Sequence, residues 1–249
     1  MTASFYDALA PYYHLLYADW EASSQRQSQV LVKVLQEFGI LPGNPVLDAA
    51  CGIGTQALGL AAAGYDVSAS DVSPGAIDRL GREAANRQLS VQVRVADLRT
   101  LSESFPEPFA AVLACDNAVP HLLTDAEIAT AFAECRRCLR PGGVIIASVR
   151  DYAAIARVSP DVRPYGSHIV SGRRFTAEQV WEWDGDQYDL TVRLTEEIPG
   201  ETPRTHVFNT RYYAVTISRL LELLAAEGFS RLERRDGVFF QPLLIGIAR

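Results

Sequence analysis

Val46-Leu47-Asp48-Ala49-Ala50-Cys51-Gly52-Ile53-Gly54-Thr55 decides the fold. A short apolar run ends in a carboxylate, enters a turn containing two glycines and continues into the helix-prone segment Gln56 to Ala63. Glycines let backbone amides approach a ligand closely, and the start of the following helix offers N–H groups that lack partners within the helix. The turn therefore implies a nucleotide-like ligand. Asp48 narrows the choice, because a carboxylate repels a pyrophosphate and suits a cationic ligand end.

Outward from this turn the chain alternates between strand and helix patterns. Upstream, Val30, Leu31, Val34, Leu35 and Phe38 recur at helical spacing within Trp20 to Phe38, and Gly39 stops that helix. Downstream, strands are expected at Asp66 to Ser70, Val91 to Val95, Phe109 to Cys115 and Val144 to Val149. Helices are expected from Ser73-Pro74-Gly75 to about Asn86 and from Thr124-Asp125-Ala126-Glu127 to just before Pro141-Gly142-Gly143. The run Phe109 to Cys115 is apolar throughout, as in a parallel strand buried on both faces. This order predicts an α/β fold, a doubly wound, mostly parallel seven-stranded sheet.

The pattern changes between Ser167 and Tyr213. Ser167 to Phe175, Gln179 to Asp184, Tyr188 to Ile198 and His206 to Tyr213 read as antiparallel strands, joined by turns such as Asp184-Gly185-Asp186. A helix from about Thr216 to Glu227 and strands at Arg231 to Arg235 and Phe239 to Ile247 complete the chain. The expected organisation is an N-terminal helical cap over 1–40, a core over 41–150 and 214–249, and an inserted antiparallel β cap over 151–213.

With 249 residues, 48% hydrophobic and 21% charged, the chain has the composition of one large folded α/β domain. Its formal net charge of −7 argues against a nucleic-acid surface, which concentrates Lys and Arg, and favours a small-molecule substrate. No uncharged run approaches the roughly 18 residues of a membrane span, and Met1-Thr2-Ala3-Ser4-Phe5-Tyr6-Asp7 is not a signal sequence, so the expected location is cytoplasmic. A homo-oligomer is left open. Cys51, Cys115, Cys135 and Cys138 read as packed thiols, since the C-x-x-C pair lies inside a helical pattern and has no second pair to complete a zinc site. His14, His168 and His206 show no metal-binding spacing, so no metal is expected.

Asp48-x-x-x-Gly52-x-Gly54 resembles the first motif of class I S-adenosylmethionine-dependent methyltransferases. Gly52-Ile53-Gly54-Thr55-Gln56-Ala57 also satisfies the dinucleotide fingerprint G-x-G-x-x-A, with Asp71 about twenty residues on, where a ribose carboxylate stands. Asp48, the Ala96-Asp97-Leu98 segment and the Pro-Gly-Gly turn before the fifth strand favour the methyltransferase reading. The resemblance implies that acids after strands one, two and three face the methionine amino end, the ribose and the adenine. It also implies a cofactor site comprising Tyr17, Arg26, Asp48, Ala50, Gly52, Gly54, Asp71, Val72, Asp97, Leu98, Cys115 and His121. S-adenosylmethionine would be consumed there and S-adenosylhomocysteine released.

Further segments resemble the glycine and sarcosine N-methyltransferases: Asp116-Asn117-Ala118-Val119-Pro120-His121-Leu122, Ser148-Val149-Arg150-Asp151-Tyr152 and Thr210-Arg211-Tyr212-Tyr213. The resemblance implies that Asn117 and Arg150 hold a substrate carboxylate and that Tyr152 with Tyr212 or Tyr213 lines the pocket. A guanidinium offers two parallel donors to a carboxylate, which suits that role; a structural ion pair of Arg150 with Asp151 or Asp97 is the alternative. The aromatic cluster Tyr12, Tyr13, Tyr17 and Trp20 either folds over the cofactor or buries one side of a helix. The expected activity is methyl transfer to the nitrogen of a small amino acid or amine. A larger natural-product amine or hydroxyl, or a catalytically silent cofactor-binding module, are the competing readings.

Overall fold

The local signals for each element are visible in its termini. The computed structural model describes residues 2–249; Met1, the first residue of the expected N-terminal cap, lies outside the described residues. Helix α1 (Thr2–Leu9) and a 3-10 turn at Tyr13–Leu16 precede α2 (Trp20–Glu37), whose N-cap Asp19 accepts a hydrogen bond from the Ala22 amide. The alternating part then runs β1 (Pro45–Asp48), α3 (Ala57–Ala62), β2 (Asp66–Asp71), α4 (Pro74–Asn86), β3 (Val91–Val95), α5 (Leu101–Ser104), β4 (Phe109–Ala114), α6 (Asp125–Arg137) and β5 (Leu139–Ser148). Ser73 and Thr124 cap α4 and α6 through their hydroxyls.

Four long strands follow, β6 (Asp161–Val170), β7 (Arg173–Asp184), β8 (Gln187–Glu197) and β9 (Arg204–Tyr213), before α7 (Ile217–Ala226), β10 (Phe229–Arg235) and β11 (Leu243–Ala248). The main sheet has the order β10-β11-β5-β4-β1-β2-β3. β1 to β5 pair in parallel, whereas β11 is antiparallel to both β5 and β10. β4 is buried at all six positions, which accounts for its unbroken apolar sequence. The expected doubly wound, mostly parallel seven-stranded sheet is thus present, accompanied by a separate antiparallel sheet β6-β7-β8-β9.

Two strand expectations are corrected. Ser167 to Phe175 is not one strand: Ser171 and Gly172 have positive φ, 51° and 78°, and turn the chain between β6 and β7. Phe239 and Phe240 lie in a bend, and β11 begins only at Leu243, after Pro242, which has no N–H to give a ladder.

The order of the main sheet reverses between β1 and β4, and the loops after the carboxyl ends of the strands meet there. Open α/β sheets bind ligands at this switch point. α1 and the 3-10 turn Val119–His121 after β4 both pack against β9, joining the second sheet to the same end of the molecule.

Candidate active site

At the switch point lies a cavity of about 350 Å³. Its floor is the turn after β1. Gly52 and Gly54 adopt φ of 51° and 97°, for different reasons. A Cβ on Gly52 would meet nothing within 4 Å, so this glycine leaves space open; a Cβ on Gly54 would stand 2.3 Å from Leu80 Cδ1, so that one lets α4 pack against the turn.

Asp71 ties the turn to the start of α4. Its Oδ2 accepts the Gly52 amide at 2.9 Å and its Oδ1 the Ser73 amide at 2.9 Å, while the carboxylate stays on the cavity wall. Burial raises its pKa, and the amides of Ser73, Gly52 and Val72 pull the other way. Asp48 lies deeper and is fully buried. Neither of its oxygens has a hydrogen-bond partner among the described residues, although the Ala57 and Ala50 amides stand near enough to favour its charged form. Burial first, then the Asp71 charge, pushes Asp48 up to about 7.

α2 grips the back of the turn. Trp20 Nε1 donates to Thr55 Oγ1 at 3.0 Å, Ser24 Oγ donates to the Thr55 carbonyl at 2.6 Å, and Gln56 Nε2 donates to Gln27 Oε1 at 2.7 Å. Arg26 is exposed and absent from the cavity wall; Gln27 is the residue turned inward. A shift of one position moves a side chain by about 100° around a helix, so Arg26 and Gln27 cannot share a face.

On the other flank Asp97 accepts the Arg99 amide at 2.8 Å and pairs with its guanidinium at 2.6 Å, which lowers the Asp97 pKa. Arg99 also reaches Glu127 at 2.5 Å. Among the expected cofactor residues, Ala50, Gly52, Asp71, Val72, Asp97, Leu98, Cys115 and His121 line the cavity; Asp48, Gly54, Tyr17 and Arg26 do not.

The loops after β4 and β5 bring a second polar group beside the cavity, of which Asp116 is on its wall and Asn117, Arg150, Tyr152 and Tyr212 are not. Asp116 and Asn117 follow β4 with φ of 56° and 62°, and both are held by Ser148, whose hydroxyl takes the Asp116 amide at 2.7 Å and whose carbonyl takes the Asn117 amide at 2.9 Å. Asn117 is buried, its Oδ1 accepting the Arg150 amide at 3.1 Å and its Nδ2 donating to Tyr152 Oη at 2.8 Å. Tyr152 and Tyr188 share a hydrogen bond at 3.0 Å.

The Arg150 guanidinium stands over the Trp181 ring, 5.4 Å from its centroid, in the electrostatic field of Tyr152, Tyr188, Tyr165 and Tyr212. No carboxylate pairs with it among the described residues. Asp151 is taken by Arg234 at 2.6 Å and Asp97 by Arg99, so the structural ion pair weighed from sequence does not form. Tyr212 is buried, whereas Tyr213, the next residue on the strand, points to the opposite face and donates to Asp125 Oδ1 at 3.0 Å.

Tyr6 and Asp116 are among the cavity residues outside the sequence-based set, and Tyr13, weighed from sequence as part of the aromatic cluster, joins them. Tyr6 on α1 is 2.8 Å from His121 Nε2 and 3.4 Å from Tyr212 Oη. Tyr13 and Tyr17 both donate to Asp116 Oδ2 at 3.0 Å, placing Tyr13 and Asp116 on the wall. Burial, and then the Arg150 charge, lowers His121 to about 3, so its imidazole is neutral. Asp116 opens one of the segments that carry the resemblance and directly follows a wholly apolar strand, but it was given no role from sequence.

Residues 46–143 match a family model described as methyltransferase domain. Over those residues the chain is similar to a methyltransferase domain. The residues present fit S-adenosylmethionine as a methyl donor: the open Gly52 turn and Asp71 lie on the cavity wall, and the buried Asp48 carboxylate, without a partner among the described residues, lies deeper. The chain is 29% identical to a glycine/sarcosine N-methyltransferase of Parasynechococcus marenigrum over 155 residues, 62% of this chain and 54% of that protein. It is 28% identical to a glycine/sarcosine N-methyltransferase of Aphanothece halophytica over 211 residues, 85% of this chain and 74% of that protein. The chain thus spans about half the length of the first relative and about three quarters of the second.

In structure it is similar to DesVI of Streptomyces venezuelae, with a TM-score of 0.80 and 18% identity over 91% of this chain and 92% of that one. It is also similar to S-adenosylmethionine-bound CalS10, an amino pentose methyltransferase of Micromonospora echinaspora, with a TM-score of 0.77 and 19% identity over 91% and 92% of the two chains. No helix among the described residues is long and apolar enough to cross a membrane.

Proposed function

We propose that this chain methylates the nitrogen of a small amino acid of the glycine or sarcosine kind. The observation that carries the reading is Arg150: a guanidinium over Trp181, surrounded by tyrosines and without a carboxylate partner among the described residues. A desolvated cation without a counter-ion is costly, and a substrate carboxylate would supply one in the paired geometry a guanidinium prefers. The glycine/sarcosine N-methyltransferase relatives support the same acceptor class.

S-adenosylmethionine supplies an activated methyl group on a sulfonium, so the chain's own task is to bind, orient and exclude water. Asp71 and the Gly52 turn would hold the nucleoside part, with Asp97 and Leu98 on the adenine side. Arg150 would hold the acceptor's carboxylate. Asn117, whose amide is engaged at both ends, would fix Arg150 and Tyr152 in place. The sheet β6 to β9 would serve as the substrate cap, since it brings Trp181, Tyr188 and Tyr212 to Arg150. Four buried free cysteines accord with a cytoplasmic location.

The test is a methyl-transfer assay with labelled cofactor over glycine, sarcosine, dimethylglycine and bulkier amines without a carboxylate, on the natural chain and on Arg150→Leu. The variant should keep its cofactor affinity within about twofold and lose about 10²-fold or more in kcat/KM for the amino acid. Methylation confined to carboxylate-free acceptors would overturn the reading and favour a natural-product amine.

A further inference from the structure

Asp116 is an anion without a cation. No lysine or arginine pairs with it among the described residues, just as no carboxylate pairs with Arg150. Asp116 lies on the cavity wall and Arg150 does not, but Asn117, the residue after Asp116, accepts the Arg150 amide at 3.1 Å, so the unpaired anion and the unpaired cation stand at one junction of the β4 and β5 ends. Their pattern is the complement of a zwitterion.

The local geometry prepares Asp116 for a ligand. The buried strand β4 ends at Ala114, and Asp116 and Asn117 then take two successive left-handed backbone conformations, with φ of 56° and 62°. Non-glycine residues rarely adopt them, and such strain persists only where the surroundings enforce it. Here Ser148 enforces it by holding both amides. The consequence is a division of labour: Asn117 is buried, and Asp116 lines the cavity. Its Oδ2 is fixed by the hydroxyls of Tyr13 and Tyr17, each at 3.0 Å. Its Oδ1 receives no hydrogen bond from a described residue and is not sealed from the cavity.

We propose that Asp116 is the amine-binding group of the acceptor site, with Oδ1 accepting an N–H of the acceptor nitrogen while Arg150 holds the acceptor's carboxylate. The inference rests on the amine-methylation reading above and deepens it to an α-amino acid bound at both ends. The ammonium of a zwitterion has no lone pair, so it first gives one proton to solvent water; an N–H of the neutral amine held by Oδ1 then leaves the nitrogen lone pair free to turn toward the methyl carbon. As the lone pair forms the N–C bond, the C–S bond breaks with its electron pair going to sulfur, and the positive charge moves from sulfur to nitrogen. A fixed carboxylate beside that nitrogen stabilises the charge where it appears. Tyr13 and Tyr17 prevent the carboxylate from rotating away.

Asp116→Asn separates this role from a structural one. Asparagine tolerates the left-handed conformation and still accepts from both tyrosines, so the turn and α1 keep their contacts. Three quantities are measured on the full chain: cofactor affinity by calorimetry, kcat/KM for the amine that the natural chain methylates best, and inhibition by acetate, which is glycine without its amine. The expected result is cofactor affinity within about twofold, kcat/KM lower by about 10²-fold, and acetate inhibition unchanged. A kcat/KM within about threefold of the natural chain overturns the proposal. So does a cofactor affinity that falls in step with kcat/KM, which would assign Asp116 to the cofactor's own amino group, or a parallel loss of acetate inhibition, which would make it a support of the whole pocket. If the natural chain methylates only amines without a carboxylate, the glycine-type reading fails alone, and the comparison of cofactor affinity with kcat/KM is made on that amine. A natural chain that methylates no amine overturns both.

Discussion

Asp48→Asn should stabilise the cofactor-free protein progressively more as pH rises through neutrality. The carboxyl is fully buried without a hydrogen-bond partner and is pushed up to about 7, whereas an unfolded aspartate titrates near 3.9. The folded state therefore holds the proton more tightly than the unfolded one. That contribution is fully present below about pH 4, declines as pH rises toward about 7 and is gone above it. At about 1.4 kcal/mol per pH unit, the interval between pH 5 and pH 8 spans roughly 2–3 kcal/mol. Asparagine carries no charge at any pH, and the cost of its own buried amide, about 1–3 kcal/mol, is the same at both ends of the interval. The measurement is urea unfolding of both proteins without cofactor at pH 5 and pH 8. The stability of the variant relative to the natural chain should move in its favour by roughly 2–3 kcal/mol between the two. Asp71, whose pKa is raised by burial, gives both proteins a trend of the same sign, so the difference reports Asp48 together with its coupling to Asp71. A relative stability constant within about 0.5 kcal/mol would mean that Asp48 stays charged throughout and that the burial argument fails.

Asp71→Ala should weaken S-adenosylmethionine binding by about 1.5–3 kcal/mol in calorimetry, the range for hydrogen bonds to a charged group. Unchanged affinity would detach the residue from the ribose. Gly54→Ala should cost roughly 1–3 kcal/mol in thermal or urea unfolding, because its φ of 97° disfavours a side chain and the new Cβ would stand 2.3 Å from Leu80 Cδ1. Gly52→Ala, which meets no atom, should lose cofactor affinity by a larger factor than Gly54→Ala does. Asp7→Ala should release α1: Asp7 Oδ1 accepts from Ser73 Oγ at 2.6 Å and from the Gly75 amide at 2.8 Å, pinning α1 to the start of α4. Faster proteolysis within residues 2–17, with α4 otherwise protected from hydrogen exchange, is the expected outcome.

The glycine turn and the acids near it were legible because each expresses a local rule. The apolar run of β4, the Ser73-Pro74 start of α4 and the stop at Gly39 are readable from neighbours in sequence. What escaped depends on register or on distance along the chain. Ser171 and Gly172 turn a stretch whose alternation reads as a single strand, because β6 is largely exposed and carries no apolar face to break the tie. Arg26 and Gln27 differ by one position, and only the packing of α2 decides that the neutral amide meets Gln56. Tyr6 meets Tyr212 across 206 positions of chain, and no periodicity carries such a pairing.

Asn117, expected from the resemblance to hold the substrate carboxylate, would on the reading proposed above act at one remove. Its carbonyl oxygen is occupied by the Arg150 amide and its nitrogen by Tyr152, whose hydroxyl meets Tyr188. Tyr188 in turn stacks between Trp181, at 4.3 Å, and Tyr212, at 5.4 Å. One amide thus couples the end of β4 to the backbone beneath Arg150 and to the ring column of the second sheet. An aspartate at 117 would keep the acceptor for the Arg150 amide and lose the donor to Tyr152; a leucine would lose both. If the acceptor's carboxylate depends on Arg150 alone, the two substitutions should raise KM in that order and leave cofactor affinity unmoved. Equal effects would mean that Asn117 reaches the acceptor itself.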